Sequence, residues 1–202
     1  MKNKTENWVV KIERPEEIYG NPELYYTEDE IEKYALLGSM KKTQEKLACR
    51  ILELLEIKSG KLLDLGCGVG YTTQFYQNEG FEVIGIDILE KMLDKARAKS
   101  IKVVHGNMKN LPLLFKEKEF DAVVSASALQ WLKDAEEIKK VASGVYYVLK
   151  DRGKIVIQFY PKSQDEMIRT ARIFKKVGFE GQLVIDSPEN PRKRVIYLVM
   201  GK

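Results

Sequence analysis

The residues best suited to chemistry lie in one glycine-rich stretch in the first half of the chain. It reads Asp64-Leu65-Gly66-Cys67-Gly68-Val69-Gly70, and a helix-like segment starts at Tyr71. A strand, a tight turn and a helix start in this order form the place where an open α/β sheet binds a nucleotide-like ligand. The glycines allow the backbone to pass close to that ligand, because no Cβ stands in the way. The stretch therefore predicts a ligand site at the end of a sheet strand.

The spacing of these glycines distinguishes two classes of protein. A dinucleotide fingerprint, G-x-G-x-x-G, requires glycine where Tyr71 stands, which disfavours a nicotinamide-dependent oxidoreductase. The observed pattern, D-x-G-x-G-x-G, resembles the first motif of the class I S-adenosylmethionine-dependent methyltransferases. That resemblance implies S-adenosylmethionine as the cofactor, with its methionine part beside the glycines. Cys67 lies inside the turn, where a small residue fits, and is predicted as a cofactor neighbour.

Asp87 is the second candidate residue. It ends the next predicted strand, 21 residues after Gly66. In folds of this kind an acidic side chain at that place accepts hydrogen bonds from both ribose hydroxyls. An N-cap for the following helix is the alternative role. Ile88 and Met92 are interpreted as apolar neighbours of the adenine, or else as core residues.

Two later strand ends add candidates for the cofactor. The third strand runs into Asn107 and Met108, where an amide oxygen can accept from the adenine amino group and a thioether can pack on its ring. His105, just before them, is interpreted as a structural residue. Ser125 begins a run of small residues at the end of the fourth strand, which leaves room for a sulfonium and a planar substrate.

The same edge of the predicted sheet carries candidates for the methyl acceptor, since ligands of parallel sheets lie beyond the carboxyl ends of the strands. Gln130 can form a hydrogen bond with a base edge. Trp131 can stack on a base or cap the cofactor pocket, and a core anchor is the alternative. Tyr160, in the segment 158–161, belongs to a second candidate wall.

The composition excludes several other kinds of protein. A chain of 202 residues with 44% apolar content suits one globular domain. Cys49, Cys67 and His105 are too few for a zinc site, a disulfide framework or a His-based triad, so no metal is predicted. The apolar runs are too short to cross a bilayer and the N-terminus is polar, so a cytoplasmic protein is expected.

Positive charge is concentrated in the last quarter of the chain. From Lys150 onward there are twelve Lys or Arg and six Asp or Glu, which fits either a polyanionic partner or a solvated surface.

The pattern along the chain predicts the elements that position these residues. Residues 1–57 are expected to form an N-terminal segment and lid: Met1–Asn21 is irregular, with Trp8–Val10 docked as a short strand. Helices are predicted at Thr27–Leu37, where Thr27 and Glu30 form a capping box, and at Met40–Ile57.

Residues 58–202 are predicted to form the sheet core. Apolar strands alternate there with amphipathic helices, which indicates a parallel sheet covered on both faces. The predicted strands are Lys61–Leu65, Glu82–Ile86, Lys102–His105, Ala122–Ser125, Lys154–Gln158 and the closing hairpin Leu183–Asp186 with Arg194–Met200. The predicted helices are Tyr71–Asn78, Glu90–Lys99, Ala135–Leu149 and Gln164–Val177. This order resembles the class I methyltransferase architecture: a seven-stranded, mostly parallel, doubly wound α/β sheet with one antiparallel strand.

Nearly the whole chain, from Arg14 to Gly201, resembles a narrower family, the small-subunit ribosomal RNA guanine-N7 methyltransferases whose human member is named after the Williams–Beuren syndrome region. The segments that carry the resemblance are 14–16, 22–26, 28–30, 33–34, 39–40, 64–68, 85–88, 125–132 and 158–161. Eukaryotic members continue into a long basic extension, whereas this lysine-rich chain stops at Lys202, so an archaeal member is expected.

The resemblance implies a role for each matched position. Cofactor contacts would come from Asp64, Gly66, Gly68, Asp87, Asn107 and Met108. Tyr34 and Ser39, in an N-terminal helical lid, would close over the methionine end, and Gln130, Trp131 and Tyr160 would face the guanine. Ribosomal RNA or the small subunit is the implied partner, together with a small zinc-binding activator protein that pairs along the exposed edge strand Lys102–Val104. A small-molecule methyltransferase and a cofactor-binding ribosome assembly factor are the alternative functions.

Overall fold

A computed structural model describes residues 14–202 of the chain, so the strand predicted at Trp8–Val10 lies outside the described residues. The helices are α1 (Pro15–Tyr19), α2 (Pro22–Tyr25), α3 (Glu28–Leu36), α4 (Gly38–Leu55), α5 (Tyr71–Asn78), α6 (Glu90–Arg97), α7 (Leu111–Leu114), α8 (Ala135–Val148) and α9 (Gln164–Val177). The strands are β1 (Lys61–Leu65), β2 (Glu82–Asp87), β3 (Val103–His105), β4 (Phe120–Ala126), β5 (Leu149–Phe159), β6 (Glu180–Asp186) and β7 (Val195–Gly201). Short 3-10 turns cover Met108–Asn110 and Leu129–Trp131.

The strands form one seven-stranded sheet in the order β3-β2-β1-β4-β5-β7-β6. Pairing is parallel from β3 through β5, and β7 inserts antiparallel between β5 and β6. The strand order reverses between β1 and β4: β2 and β3 are added on one side of β1, and β4 and β5 on the other. This reversal opens a crevice at the carboxyl ends of the central strands. The predicted α/β fold, mostly parallel with one reversed strand, is confirmed.

Both faces of the sheet are buried because successive side chains of a strand point to opposite sides. Val123 packs with Val145 of α8 in one apolar layer, which α9 and α7 complete. Its neighbour Val124 packs with Ile51 of α4 in the other layer, which α5 completes. All four side chains are fully buried, so the central strands are held rigidly beneath the crevice. In the described part of the chain, no helix combines the length and the apolar character that crossing a bilayer requires.

The N-terminal region contains more helix than predicted. Arg14–Asn21, expected to be irregular, includes α1, whose Pro15 occupies the first turn and whose end is set by Gly20 in a left-handed conformation (φ 61°). Asn21 then caps α2 by accepting a hydrogen bond from the Glu23 N–H at 3.0 Å.

The predicted capping box of α3 is only half present. Thr27 Oγ1 accepts from the Glu30 N–H, but the Glu30 side chain pairs with Lys33 at 2.7 Å. A carboxylate with a lysine one turn later on the same face prefers that partner.

Candidate active site

One cavity of about 700 Å³ lies at the carboxyl ends of β1, β2, β4 and β5, with α1–α4 on its other side. This volume lies within the range of small-molecule and cofactor sites. Twelve of the fifteen predicted site residues line it: Tyr34, Gly66, Cys67, Gly68, Asp87, Ile88, Met92, Asn107, Met108, Gln130, Trp131 and Tyr160.

The glycine turn is fixed against the neighbouring strand. The N–H groups of Gly66 and Cys67 both donate to the Ile86 carbonyl of β2, at 2.8 and 3.1 Å. Gly66 has φ 71°, and a Cβ at this residue would overlap with Cβ of Ala128. Gly68 has φ 53° and lines the cavity, and the nearest atom to a Cβ there is Met92 Sδ at 3.5 Å. The turn therefore presents open backbone to the cavity, as close approach to a ligand requires.

The Asp87 carboxylate stands beside this turn and lines the cavity. Its Oδ2 accepts from the Gly68 N–H and its Oδ1 from the Leu89 N–H, each at 2.9 Å. Burial raises the pKa of Asp87, and these two hydrogen bonds oppose the rise. Leu89, not Asp87, is the N-cap residue of α6, and α6 has no side-chain cap. Because a carboxylate has about four acceptor positions, two remain for the paired hydroxyls of a ribose.

The walls next to Asp87 are apolar. Ile88 and Met108 line the cavity, and Met92 packs in a small cluster with Val69 and Tyr71. Asn107 caps the 3-10 turn that follows β3, because its Oδ1 accepts from the Lys109 N–H at 2.9 Å. The predicted adenine contact of Asn107 therefore depends on the second lone pair of that oxygen.

Three predicted cofactor residues do not line the cavity: Ser39, Asp64 and Ser125. Asp64 points from β1 toward α5, where Thr72 and Thr73 donate to its Oδ2 at 2.7 Å each. Ser125 donates to the Leu65 carbonyl at 2.8 Å and is buried between strands. Ser39 is exposed at the start of α4, and the lining residues of this helix are Met40, Thr43 and Gln44. The three side chains therefore lie outside the cavity lining that the other twelve predicted residues share.

Asp64 has a consequence for stability. Burial raises its pKa to about 6, from an ordinary value of 3.8, although both threonine hydroxyls lower it. Since the folded protein holds this proton more tightly than the unfolded chain, the contribution to stability is complete below about pH 4. As the pH rises from about 4 to about 6, this contribution disappears, and the free energy of unfolding falls by about 3 kcal/mol in total.

We therefore expect Asp64→Asn to change stability relative to the original protein in a pH-dependent way. Between about pH 4 and pH 7, the difference in free energy of unfolding should shift in favour of the variant by about 3 kcal/mol. Urea unfolding at a series of pH values measures it, with Asp94→Asn on the exposed face of α6 as control. A difference that stays constant with pH would contradict this account of Asp64.

The other end of the cavity is aromatic. The Tyr25 and Tyr26 rings lie 4.7 Å apart, and the Trp131 ring lies 6.0 and 5.9 Å from them. Arg14 donates from Nη1 to the Tyr160 carbonyl at 2.8 Å, which fixes the start of α1 next to the end of β5. The aromatic box, defined as Tyr25, Tyr26 and Trp131, is therefore built where the lid meets the sheet.

Two further tyrosines connect the lid to the glycine turn. Tyr34 of α3 stacks on Tyr71 of α5 at 6.1 Å, and the Tyr71 hydroxyl donates to the Ala35 carbonyl at 2.7 Å. Glu28 and Glu32 of α3 form ion pairs with Lys91 and Lys95 of α6. The helical lid is thus attached to α5 and α6, the two helices next to the cofactor end of the cavity. The sequence analysis did not predict Tyr25, Tyr26 and Tyr71 as site residues. The two adjacent tyrosines at 25–26 were the sequence feature that could have indicated an aromatic site.

A strained polar group lies between the two ends. Ser127 lines the cavity with φ 59°, unusual for a residue with a side chain. Its hydroxyl donates to Gln158 Oε1 at 2.9 Å, and its carbonyl accepts from Gln130 Nε2 at 3.0 Å. Among the described residues, Gln130 Oε1 and Gln158 Nε2 are buried without a hydrogen-bond partner. Of these two residues only Gln130 lines the cavity, so its unpaired oxygen is the one placed to accept a hydrogen bond from a ligand.

The arrangement fits S-adenosylmethionine. The open backbone of the glycine turn suits the methionine part, Asp87 suits the ribose hydroxyls, and the apolar side chains Ile88, Met92 and Met108 suit a planar base. Residues 63–157 match the family described as methyltransferase domain. The fold resembles an S-adenosylmethionine-dependent methyltransferase described for Methanococcus maripaludis, with TM-score 0.69, 16% identity and coverage of 86% of this chain and 92% of that one.

A second similar structure is a phosphoethanolamine N-methyltransferase of Haemonchus contortus in complex with S-adenosylhomocysteine. Its TM-score is 0.66 at 22% identity, over 81% of this chain and 44% of that one. Fold and site together define this chain as an S-adenosylmethionine-dependent methyltransferase.

Curated relatives narrow the class. The 18S rRNA (guanine-N7)-methyltransferase of Bos taurus is 34% identical over 201 residues, which are 93% of this chain and 71% of the relative. The 18S rRNA (guanine(1575)-N7)-methyltransferase of Saccharomyces cerevisiae is 33% identical over 192 residues, 89% of this chain and 69% of the relative. The chain belongs to the 18S rRNA (guanine-N7)-methyltransferase family.

Proposed function

We propose that this enzyme transfers a methyl group from S-adenosylmethionine to N7 of a guanine in small-subunit ribosomal RNA. The observation that carries the proposal is the placement of the aromatic box in the same cavity as the glycine turn and Asp87. A flat base stacked on the outer face of such rings can present its edge to the cofactor end. The names of the curated relatives support guanine N7 as the acceptor atom.

This chemistry asks for positioning more than for proton transfer. S-adenosylmethionine supplies an electrophilic methyl group on a sulfonium, and guanine N7 carries a lone pair that is unprotonated at neutral pH. The chain therefore has to align the two reactants and exclude water. Burial raises the pKa of Tyr26 and of Tyr34, so both phenols stay neutral and offer uncharged rings. As the purine gains positive charge during transfer, the electron-rich face of Trp131 stabilises it.

The test is transfer of labelled methyl from S-adenosylmethionine to purified small ribosomal subunits of the source organism. We expect label in the RNA, recovered as 7-methylguanosine after digestion. Tight binding of S-adenosylhomocysteine together with unlabelled RNA would overturn the assignment and favour a small-molecule enzyme or a binding-only assembly factor.

We also propose a zinc-binding activator protein that extends the sheet at β3, in the cytoplasm where such subunits are available. Within residues 14–202, β3 is an edge strand of the sheet, and Leu113 of α7, which follows β3 in the chain, is 84% exposed. Both observations support a strand-pairing partner. Adding the activator to the labelling assay should raise methyl transfer. Replacing Val103 with Pro, which removes an N–H that points away from β2, should abolish that increase while leaving S-adenosylhomocysteine binding intact.

A further inference from the structure

We propose that the outer surface of α8 and α9 binds the phosphate backbone of the RNA that delivers the guanine to the cavity. This inference rests on the proposed function. The basic helix pair is defined by the six cationic residues of these two helices: Lys139, Lys140, Arg169, Arg172, Lys175 and Lys176. All six are exposed.

The charges of the two helices are separated along their length. Every acidic residue of α8 and α9 lies in the first turn: Glu136, Glu137, Asp165 and Glu166. The remaining turns carry the six cations and no anion. Acidic residues in a first turn stabilise a helix by complementing its dipole. Helix stability therefore explains why the four acids are there, but it does not explain why the later turns carry only positive charge.

Within the described part of the chain, the six cations have no ionic partner. Among residues 14–202, none of them forms an ion pair, whereas all three cations of α6 do so: Lys91, Lys95 and Arg97. Arg169 and Arg172 are three residues apart, as are Arg172 and Lys175, and like charges at this spacing destabilise a helix by a few tenths of a kcal/mol per pair. A polyanion that neutralises the surface relieves this repulsion and releases its own counterions.

The basic helix pair begins about one helical turn from the cavity mouth, beyond the acidic first turns. Lys133 and Glu137, at the start of α8, line the cavity, and α9 starts four residues after the lining residue Tyr160. The two helices pack side by side in the same apolar layer and run away from the cavity edge. The cations of α9 run from Arg169 to Lys176, so along this helix the positive surface covers about 10 Å and begins about 8 Å from the first helical residue. An RNA strand that places one base in the aromatic box can therefore lay its flanking phosphates along both helices.

The test compares two double variants in binding a fluorescein-labelled RNA stem-loop, measured by anisotropy with S-adenosylhomocysteine present. The variant R169Q/R172Q removes two charges from the basic helix pair. The control K58Q/K116Q removes two exposed charges from segments that precede β1 and β4, at the opposite edge of the sheet. We expect R169Q/R172Q to weaken RNA binding at least tenfold and to lower the slope of log affinity against log salt concentration by about 1.5. The control should bind RNA like the original protein.

The outcomes separate this inference from the proposed function. Equal RNA affinity in both double variants overturns the basic helix pair as an RNA surface, even if the original protein yields 7-methylguanosine. Lost affinity in R169Q/R172Q alone supports the surface, even if the labelling experiment fails. If R169Q/R172Q binds RNA as tightly as the original protein but no longer methylates intact subunits, the surface contacts a protein of the subunit. That result would overturn the proposal that the surface binds RNA.

Discussion

Replacing Asp87 with Ala should weaken S-adenosylhomocysteine binding by at least a hundredfold. Two ribose hydroxyls would lose a charged acceptor, and each such hydrogen bond contributes about 1.5–3 kcal/mol, so the loss is about 3 kcal/mol or more. The carboxylate also accepts from the N–H groups of Gly68 and Leu89, so its removal loosens the glycine turn that the methionine part contacts. Isothermal titration calorimetry with S-adenosylhomocysteine measures the effect.

Two further variants keep this prediction open to contradiction. Asp87→Asn retains the shape and one acceptor oxygen, and it should fold like the original protein while still losing most of the affinity. Asp94→Ala removes the same charge from the exposed face of α6, where its ion pair with Arg97 contributes little. Unchanged affinity in Asp87→Ala would disprove the ribose assignment. A matching loss in Asp94→Ala would show that net charge, rather than the contact, decides affinity.

The cofactor end of the cavity was largely predictable from the sequence because it is built locally. Gly66 and Gly68 follow β1 directly and Asp87 ends β2, so strand ends and turn chemistry alone place them at one edge. That reasoning does not give the direction of a side chain. Asp64 is part of the same motif, yet the alternation of β1 turns its carboxylate to Thr72 and Thr73 behind the turn.

The lid was less predictable because it depends on tertiary contacts between short segments. Neither α1 nor α2 has any buried residue, so the sequence has no apolar periodicity from which these helices could be predicted. Tyr26 reaches the cavity through its packing on Trp131, more than 100 residues later in the chain. At the start of α4 the helix was predicted but its rotation was not: Ser39 is exposed, whereas Met40, one position later, faces the cavity.

Replacing Trp131 with Ala should leave S-adenosylhomocysteine affinity within about twofold and lower methyl transfer on the order of a hundredfold. The indole packs against Tyr25 and Tyr26, so its loss should open the acceptor end. The expected loss combines the missing cation–π stabilisation of a purine that becomes positive, up to about 2 kcal/mol, with poorer alignment of the base. Turnover under saturating S-adenosylmethionine and calorimetry on the same preparation measure the two quantities.

The pair of readouts distinguishes an acceptor residue from a structural one. Trp131→Phe keeps a ring between the tyrosines and should recover much of the turnover, because stacking needs a flat face more than an indole N–H. If Trp131 were a core anchor, both variants would lower thermal stability and cofactor affinity together. If it capped the cofactor, affinity for S-adenosylhomocysteine would fall in step with turnover. Only the acceptor role predicts lost turnover, intact cofactor affinity and partial recovery by Phe, since the aromatic box then acts on the base alone.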